Sequence, residues 1–128
     1  MRRDGILHPQ LAAALAALGH TDTLVVADRG LPLPDGPETV QLAVVPGVPA
    51  FSVVLQAVLA EIVCQSAMVA AETPADALWL QTVREAVPEV TEVPHEELKR
   101  LTWSARLVIR TGESVPYSNI VLRCGVPF

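Results

Sequence analysis

The chain has 128 residues, 51% of them hydrophobic, and a formal net charge of -5. Its length fits one domain with one hydrophobic core, and its acidic balance disfavours nucleic acid or an anionic membrane as a partner. A mean hydropathy of +0.40 is high for a domain this small, which predicts burial of apolar surface between subunits and an obligate homo-oligomer.

The first predicted elements are a helix and a buried strand. Pro9 suits the first turn of a helix that runs to Leu18, with Gly19 past its end. The β-branched, apolar run from Thr23 to Ala27 predicts a strand buried on both faces.

An uncharged stretch from Thr39 to Ala60 is long enough for a membrane span. Two prolines and a glycine between residues 46 and 49 interrupt it, however. The composition therefore favours a strand over Val40 to Val45, a turn, and a helix over Ala50 to Gln65.

The second half of the chain continues the alternation of strands and helices. Such alternation predicts an α/β fold, with a largely parallel sheet covered on both faces, in one domain over residues 1–128. The remaining predicted elements are a strand over Ala67 to Ala71, helices over Ala75 to Ala86 and His95 to Arg106, and strands over Leu107 to Arg110 and Asn119 to Arg123.

The two cysteines and the first residues of the chain favour a cytoplasmic location for the protein. Cys64 and Cys124 lack the C-x-x-C spacing of a zinc or redox site. The first residues reach an acid and a glycine before any apolar run, so no secretory signal is predicted. We expect reduced thiols in a cytoplasmic protein. The three histidines are dispersed, which disfavours a metal site.

Polar residues at the ends of predicted strands indicate where chemistry could take place. His20 precedes the strand Thr23 to Ala27 and Asp28 follows it, and histidine readily exchanges protons near neutral pH. A polar loop after a later strand holds Tyr117 and Asn119. Together these two offer a flat apolar face, a hydroxyl and an amide, the groups that a sugar needs.

Each candidate also has an ordinary structural interpretation. His20 is placed to cap the end of the first helix, where a cation is favoured. Asp28 is placed to order the Gly-Pro turn that follows it. His95 fits an exposed position in the first turn of a helix, and Tyr117 and Asn119 fit a turn. The residues alone leave these alternatives open.

Five blocks of sequence together resemble the ribose pyranase/fucose mutarotase family. They agree with it in residue type, order and spacing, and they extend over nearly the whole chain. The blocks are Leu18 to Pro34, Gly47 to Phe51, Pro94 to Lys99, Arg110 to Leu122, and Cys124 to Phe128.

The resemblance implies an enzyme that interconverts the β-pyranose and β-furanose forms of D-ribose without a metal or organic cofactor. By its place in the first block, His20 resembles the proton donor of the family. The positions that resemble substrate contacts are Asp28, His95, Tyr117, Ser118 and Asn119.

The resemblance also implies a fold and an assembly. The family has a three-layer α/β arrangement with a mixed sheet. Its members form decamers of two stacked pentamers, and the active site lies between neighbouring subunits. We therefore expect a second copy of the chain to complete the site.

The chain departs from the family pattern at three places. The segment from Glu72 to Val93 is shorter, and Ser118 stands where a small apolar residue is common. Arg29 places a positive charge beside Asp28, where it would compete for the hydrogen bonds of that carboxyl. Three alternatives to a ribose enzyme remain: a mutarotase for fucose or another sugar, a non-catalytic sugar-binding subunit of a ribose uptake system, and a purely structural oligomer.

Overall fold

Helices and strands alternate along the chain for most of its length. The computed structural model describes residues 1–128. None of its helices is long and apolar enough to cross a membrane. The elements are α1 (Pro9–Ala16), β1 (Thr23–Ala27), β2 (Glu38–Gln41), α2 (Phe51–Glu61), β3 (Cys64–Ala70), α3 (Leu78–Ala86), β4 (Glu89–Val93), α4 (His95–Thr102), β5 (Leu107–Arg110) and β6 (Ile120–Cys124).

The six strands form one mixed sheet in the order β2-β5-β1-β6-β3-β4. Five strands run in the same direction, while β6 is antiparallel to both of its neighbours, β1 and β3. The start of β6 therefore lies at the same edge of the sheet as the ends of the other five strands. We call this the carboxyl edge, and the other the amino edge.

The two faces of β1 show how the layers form. Leu24 and Val26 belong to the larger apolar cluster, which includes residues of α1, α2 and α3. Val25 and Ala27 point to the other face, where Leu98 of α4 packs in a smaller cluster. This alternation is the ordinary period of a strand. The structure confirms the predicted three-layer α/β fold with a mixed, largely parallel sheet.

Two strands have the predicted bounds and three do not. β1 and β5 begin and end where the apolar runs predict. The strand predicted over Ala67 to Ala71 is β3, which begins earlier, at Cys64, and ends at Ala70. The strand predicted over Asn119 to Arg123 is β6, which begins and ends one residue later. The strand predicted over Val40 to Val45 instead ends at Gln41, because the chain beyond it turns back on itself. Val44 N donates to Val48 O at 3.0 Å, within a turn rather than a sheet.

Strand β4 was not predicted, and several helices are shorter than expected. β4 lies between two prolines and pairs only with β3, so its exposed edge carries polar residues that hide the strand pattern. The helix predicted over Ala50 to Gln65 ends at Glu61, because the backbone of Ile62 is extended and β3 follows. Three other helices are shorter than predicted by two to four residues. α1 ends before Ala17 and Leu18, α3 begins after Ala75 to Ala77, and α4 ends before Trp103 to Arg106.

Cys64 and Cys124 lie opposite each other on β3 and β6, and both are free. Burial raises the pKa of the Cys64 thiol to about 11, and burial also raises the pKa of Cys124. Both are thiols rather than thiolates at neutral pH, so neither is a ready nucleophile.

Candidate functional site

Asp28 and Asn119 form a reciprocal pair at the carboxyl edge. The backbone N–H of Asp28 donates to Asn119 Oδ1, and Asn119 Nδ2 donates to Asp28 Oδ2, each at 2.9 Å. The pair forms because β6 is antiparallel to β1, with Ile120 opposite Val26. The residue before β6 therefore meets the residue after β1. Asn119 is fully buried, so its amide fixes the orientation of the Asp28 carboxylate.

The Asp28 carboxylate also orders the turn that follows it. Its Oδ1 accepts hydrogen bonds from the N–H groups of Gly30 and Leu31, each at 2.9 Å. The turn-ordering interpretation is therefore correct, and it does not exclude a role in binding. An ionised carboxylate offers about four acceptor positions, and three are occupied here. One acceptor position on Oδ2 remains for a ligand hydroxyl.

His95 and Tyr117 pack against each other beside this pair. Their rings meet edge to face, with centroids 5.1 Å apart and planes at 85°. His95 Nδ1 is buried and has no hydrogen-bond partner. A buried polar atom without a partner is costly, and a ligand hydroxyl at this position would satisfy it. Tyr117 has a positive φ of 63°, a strained conformation for a residue other than glycine.

Four polar residues that the sequence did not single out hold this arrangement in place. The Thr111 hydroxyl donates to Ala27 O at 2.8 Å and accepts from Glu113 N at 3.2 Å. Thr73 Oγ1 donates to Tyr117 O at 3.3 Å. The Glu72 carboxylate accepts from His95 N at 2.9 Å. All four lie within three residues of the end of β3 or β5, so the strand-end rule that selected Asp28 could also have selected them.

Glu113 connects the loop before β6 to the start of α2. One carboxylate oxygen accepts from Phe51 N at 3.0 Å and the other from Val115 N at 3.2 Å. A cavity of about 340 Å³ adjoins this loop, and Tyr117 and Ser118 line part of it. Ser118 is 4% exposed.

The structure therefore brings together five of the six predicted site residues. Asp28 bonds to Asn119, and Ser118 links Asn119 to Tyr117, which packs on His95. We call Asp28, His95, Tyr117, Ser118 and Asn119 the carboxyl-edge site. No three His, Cys, Asp or Glu side chains converge as they would around a metal ion.

His20 is the exception, because it lies at the amino edge. It precedes β1 whereas Asp28 follows it, and five strand residues at about 3.3 Å each separate the two edges by roughly 16 Å. His20 is exposed, and its Nε2 lies 3.2 Å from Gln65 Oε1. α1 ends at Ala16 with Ala17 as its C-cap, and His20 does not cap it. One chain alone does not join His20 to the other five residues.

Asp22 fixes the turn that carries His20. Its Oδ2 accepts from Gly19 N at 2.7 Å and forms an ion pair with Arg106 at 2.8 Å. The hydrogen bond from Gly19 and the nearby guanidinium hold the pKa of the Asp22 carboxyl below its ordinary value. The imidazole of His20 is therefore presented from an ordered turn beside β1.

The family of the chain follows from comparison with known proteins. Residues 1–127 match the model of the RbsD / FucU transport protein family. The chain belongs to this family. Among the curated RbsD / FucU relatives, D-ribose pyranase 1 of Rubrobacter xylanophilus is 54% identical, with 100% of both chains covered. A D-ribose pyranase of Cutibacterium acnes is 48% identical, also with 100% of both chains covered.

Solved structures of RbsD / FucU proteins agree with this fold. Bacillus subtilis RbsD, solved in complex with D-ribose, has a TM-score of 0.91 and 42% identity, with 100% of both chains covered. A fucose mutarotase from Streptococcus pneumoniae, solved with L-fucose, has a TM-score of 0.72 at 19% identity, with 95% of both chains covered. At that identity the second likeness concerns the fold alone.

Proposed function

We propose that this protein is a D-ribose pyranase, which interconverts the β-pyranose and β-furanose forms of D-ribose. The observation that carries the proposal is the full-length identity of 54% with a curated D-ribose pyranase. The likeness to an RbsD structure solved with D-ribose supports the choice of sugar. An excess of ring exchange in D-ribose over the uncatalysed rate, measured by NMR, tests it.

The carboxyl-edge site suits a small polyhydroxylated ligand. Asp28 Oδ2 has one free acceptor position, and His95 Nδ1 is buried without a partner. The Tyr117 hydroxyl makes no hydrogen bond within the chain, and its ring offers an apolar face. Asn119 keeps one N–H and one lone pair beyond its two bonds to Asp28. We propose that these groups bind the hydroxyls of the sugar.

The reaction needs proton transfer but no redox chemistry. In the pyranose form, the anomeric hydroxyl loses a proton, the bond between C1 and the ring oxygen breaks, and that oxygen gains a proton. The open chain recloses when the hydroxyl on C4 loses its proton and attacks C1, and the carbonyl oxygen on C1 gains a proton, which gives the furanose form. A side chain that both donates and accepts protons serves both directions. We assign this role to His20, while Asp28 and His95 orient the sugar or relay the proton.

We propose that the active site is shared between subunits. His20 and Asp28 lie at opposite edges of one sheet, so the partner subunit's His20 must reach the carboxyl-edge site. Apolar surface for such contacts is available: Val44, Val53 and Leu7 are 76%, 61% and 66% exposed. They line a shallow apolar groove of about 400 Å³ between α2 and the N-terminal segment. Exposed apolar patches of this kind mark interfaces.

Assembly gives the first prediction. We expect light scattering to show a large homo-oligomer, of ten subunits if the family arrangement holds. The exposed apolar side chains lose contact with water in such an assembly, which favours it. A stable monomer of 13.7 kDa at micromolar concentration would contradict both the assembly and the shared site.

Replacement of Asn119 separates binding from proton transfer. Asn119→Ala removes two hydrogen bonds to Asp28, so we expect ribose binding to weaken by about 1–3 kcal/mol in calorimetry. The control is Gln10→Ala, which removes an exposed amide that donates to Thr39 O at 3.3 Å, away from this site. Equal ribose affinity in the two variants would contradict the assignment. Ribose binding without exchange in the unmodified protein would instead indicate a sugar-binding subunit.

We also propose that the protein is cytoplasmic. The two free, protonated thiols support it, because reduced cysteines are typical of that compartment.

A further inference from the structure

Two arginines line a second cavity at the carboxyl edge, separate from the residues assigned to the sugar. Its volume is about 530 Å³. Arg29 and Gly30 follow β1, Arg110 ends β5, and Gln41 ends β2, so three adjacent parallel strands end around it. Ligands of α/β sheets bind at such strand ends. No aspartate or glutamate lines the cavity.

These arginines lack the anionic partners that most cations of this protein have. Five of its nine Lys and Arg residues form ion pairs, and Arg29 and Arg110 are not among them. Arg29 is exposed and makes no ion pair with Asp28, although the two are adjacent in sequence. Two unpaired cations therefore face one cavity in a protein whose net charge is negative.

Arg110 provides an independent sign of a ligand. Its side chain is partly buried, and Nη2 donates to Leu31 O at 3.3 Å. Its Nε is buried and has no hydrogen-bond partner. A buried donor on a charged group is costly when no acceptor satisfies it. Because Arg110 lines the cavity, an anion there would supply the missing opposite charge and further acceptors for the guanidinium.

We propose that this cavity binds a phosphate group, either free phosphate or a phosphate monoester. Guanidinium groups match phosphate oxygens in charge and in the geometry of their N–H donors. A monoester carries a charge of about -1.5 to -2 at pH 7, which two arginines balance. The Gly30 N–H is already bound to Asp28, so Gln41 supplies the neutral polar group. The volume exceeds that of a phosphate group and leaves space for a small polar body.

The test is a calorimetric titration of the assembled protein at low salt. The two probes are inorganic phosphate and glycerol 3-phosphate. We expect saturable binding, weakened about tenfold or more in Arg29→Gln through loss of a charged hydrogen bond. Arg29 is exposed, so its replacement should leave the fold intact, which circular dichroism checks. The control is Arg3→Gln, which removes an equal charge from an exposed position in the N-terminal segment.

The outcomes are distinct from those of the ribose experiments, because no sugar is present. Tighter binding of glycerol 3-phosphate identifies a monoester site, and equal binding identifies a site for free phosphate. Absence of saturable binding for both probes at millimolar concentration overturns the proposal. Equal affinities in Arg29→Gln and Arg3→Gln overturn it too. A change of oligomeric mass in Arg29→Gln, without any phosphate binding, would show that a carboxylate of a second copy occupies the cavity.

Discussion

Replacement of His20 by alanine is expected to abolish catalysed ribose exchange and to leave the fold intact. General acid–base catalysis by one side chain typically contributes about 100- to 10,000-fold, so the remaining rate should approach the uncatalysed one. His20 is exposed, and the one hydrogen bond of its ring is to Gln65, so little stability is lost. Ribose affinity should stay nearly unchanged, because the proposed role is exercised in the transition state. NMR exchange and calorimetry on the same sample measure both quantities.

The matched control is His8→Asn. His8 Nδ1 accepts from Leu11 N at 3.2 Å and caps α1, and asparagine keeps a capping acceptor while it removes the imidazole. We expect wild-type exchange in this variant. If His20→Ala also kept the wild-type rate, the assignment of the proton donor would be wrong.

Mixed assemblies test whether the site is shared. His20→Ala and Asp28→Asn subunits are each expected to be inactive alone. If they are unfolded and reassembled together at equal concentration, random assortment pairs an intact His20 with an intact Asp28 in about one quarter of the shared sites. Exchange should then recover to about that fraction of the wild-type rate. No recovery in a mixture shown to co-assemble would contradict a site built across subunits.

Gly112→Ala is expected to have the largest effect on stability. A Cβ at Gly112 would meet three backbone atoms of Val48, including its nitrogen at 2.7 Å. The backbone is held there, because Gly47 N donates to Gly112 O at 2.6 Å and Gly112 N donates to Pro49 O at 2.9 Å. Overpacking of this kind costs about 1–3 kcal/mol. We expect a lower Tm and weaker ribose binding, since the loop to Asn119 follows directly.

Gly19→Ala is the control for this variant. Its Cβ would lie 3.7 Å from Asp22 Oδ2, an ordinary contact, and its φ is not positive. The Tm should change little. A Gly112→Ala protein as stable as Gly19→Ala would show that the close approach to Val48 relaxes at no cost.

The central strands could be predicted from the sequence, and the edges could not. β1 and β5 lie inside the sheet, with a strand on each side. Because both of their faces are buried, their sequences are unbroken apolar runs with clear ends. β4 is an edge strand whose exposed residues are polar, and nothing in its local sequence distinguishes it from a loop. The end of β2 at Gln41 depends on a contact between the following turn and Gly112. Such contacts between distant segments are invisible to local patterns.

The candidate site shows the same division. Strand-end positions selected Asp28 and the loop that holds Tyr117 and Asn119. The direct pairing of Asp28 with Asn119 depends on the antiparallel direction of β6, which short-range patterns do not give. The separation of His20 from Asp28 follows from the strand between them. One chain cannot place His20 beside Asp28. The proposal that another subunit supplies the histidine therefore rests on the family resemblance.

The most direct test of the proposed function is saturation-transfer NMR on D-ribose, with and without the unmodified protein. One anomeric resonance of the pyranose form is saturated, and the loss of intensity at the furanose resonances reports the exchange rate. A D-ribose pyranase increases that rate in proportion to protein concentration, and L-fucose under the same conditions tests the choice of sugar. Exchange in ribose equal to that in buffer alone, with an assembled and folded protein, would contradict the account.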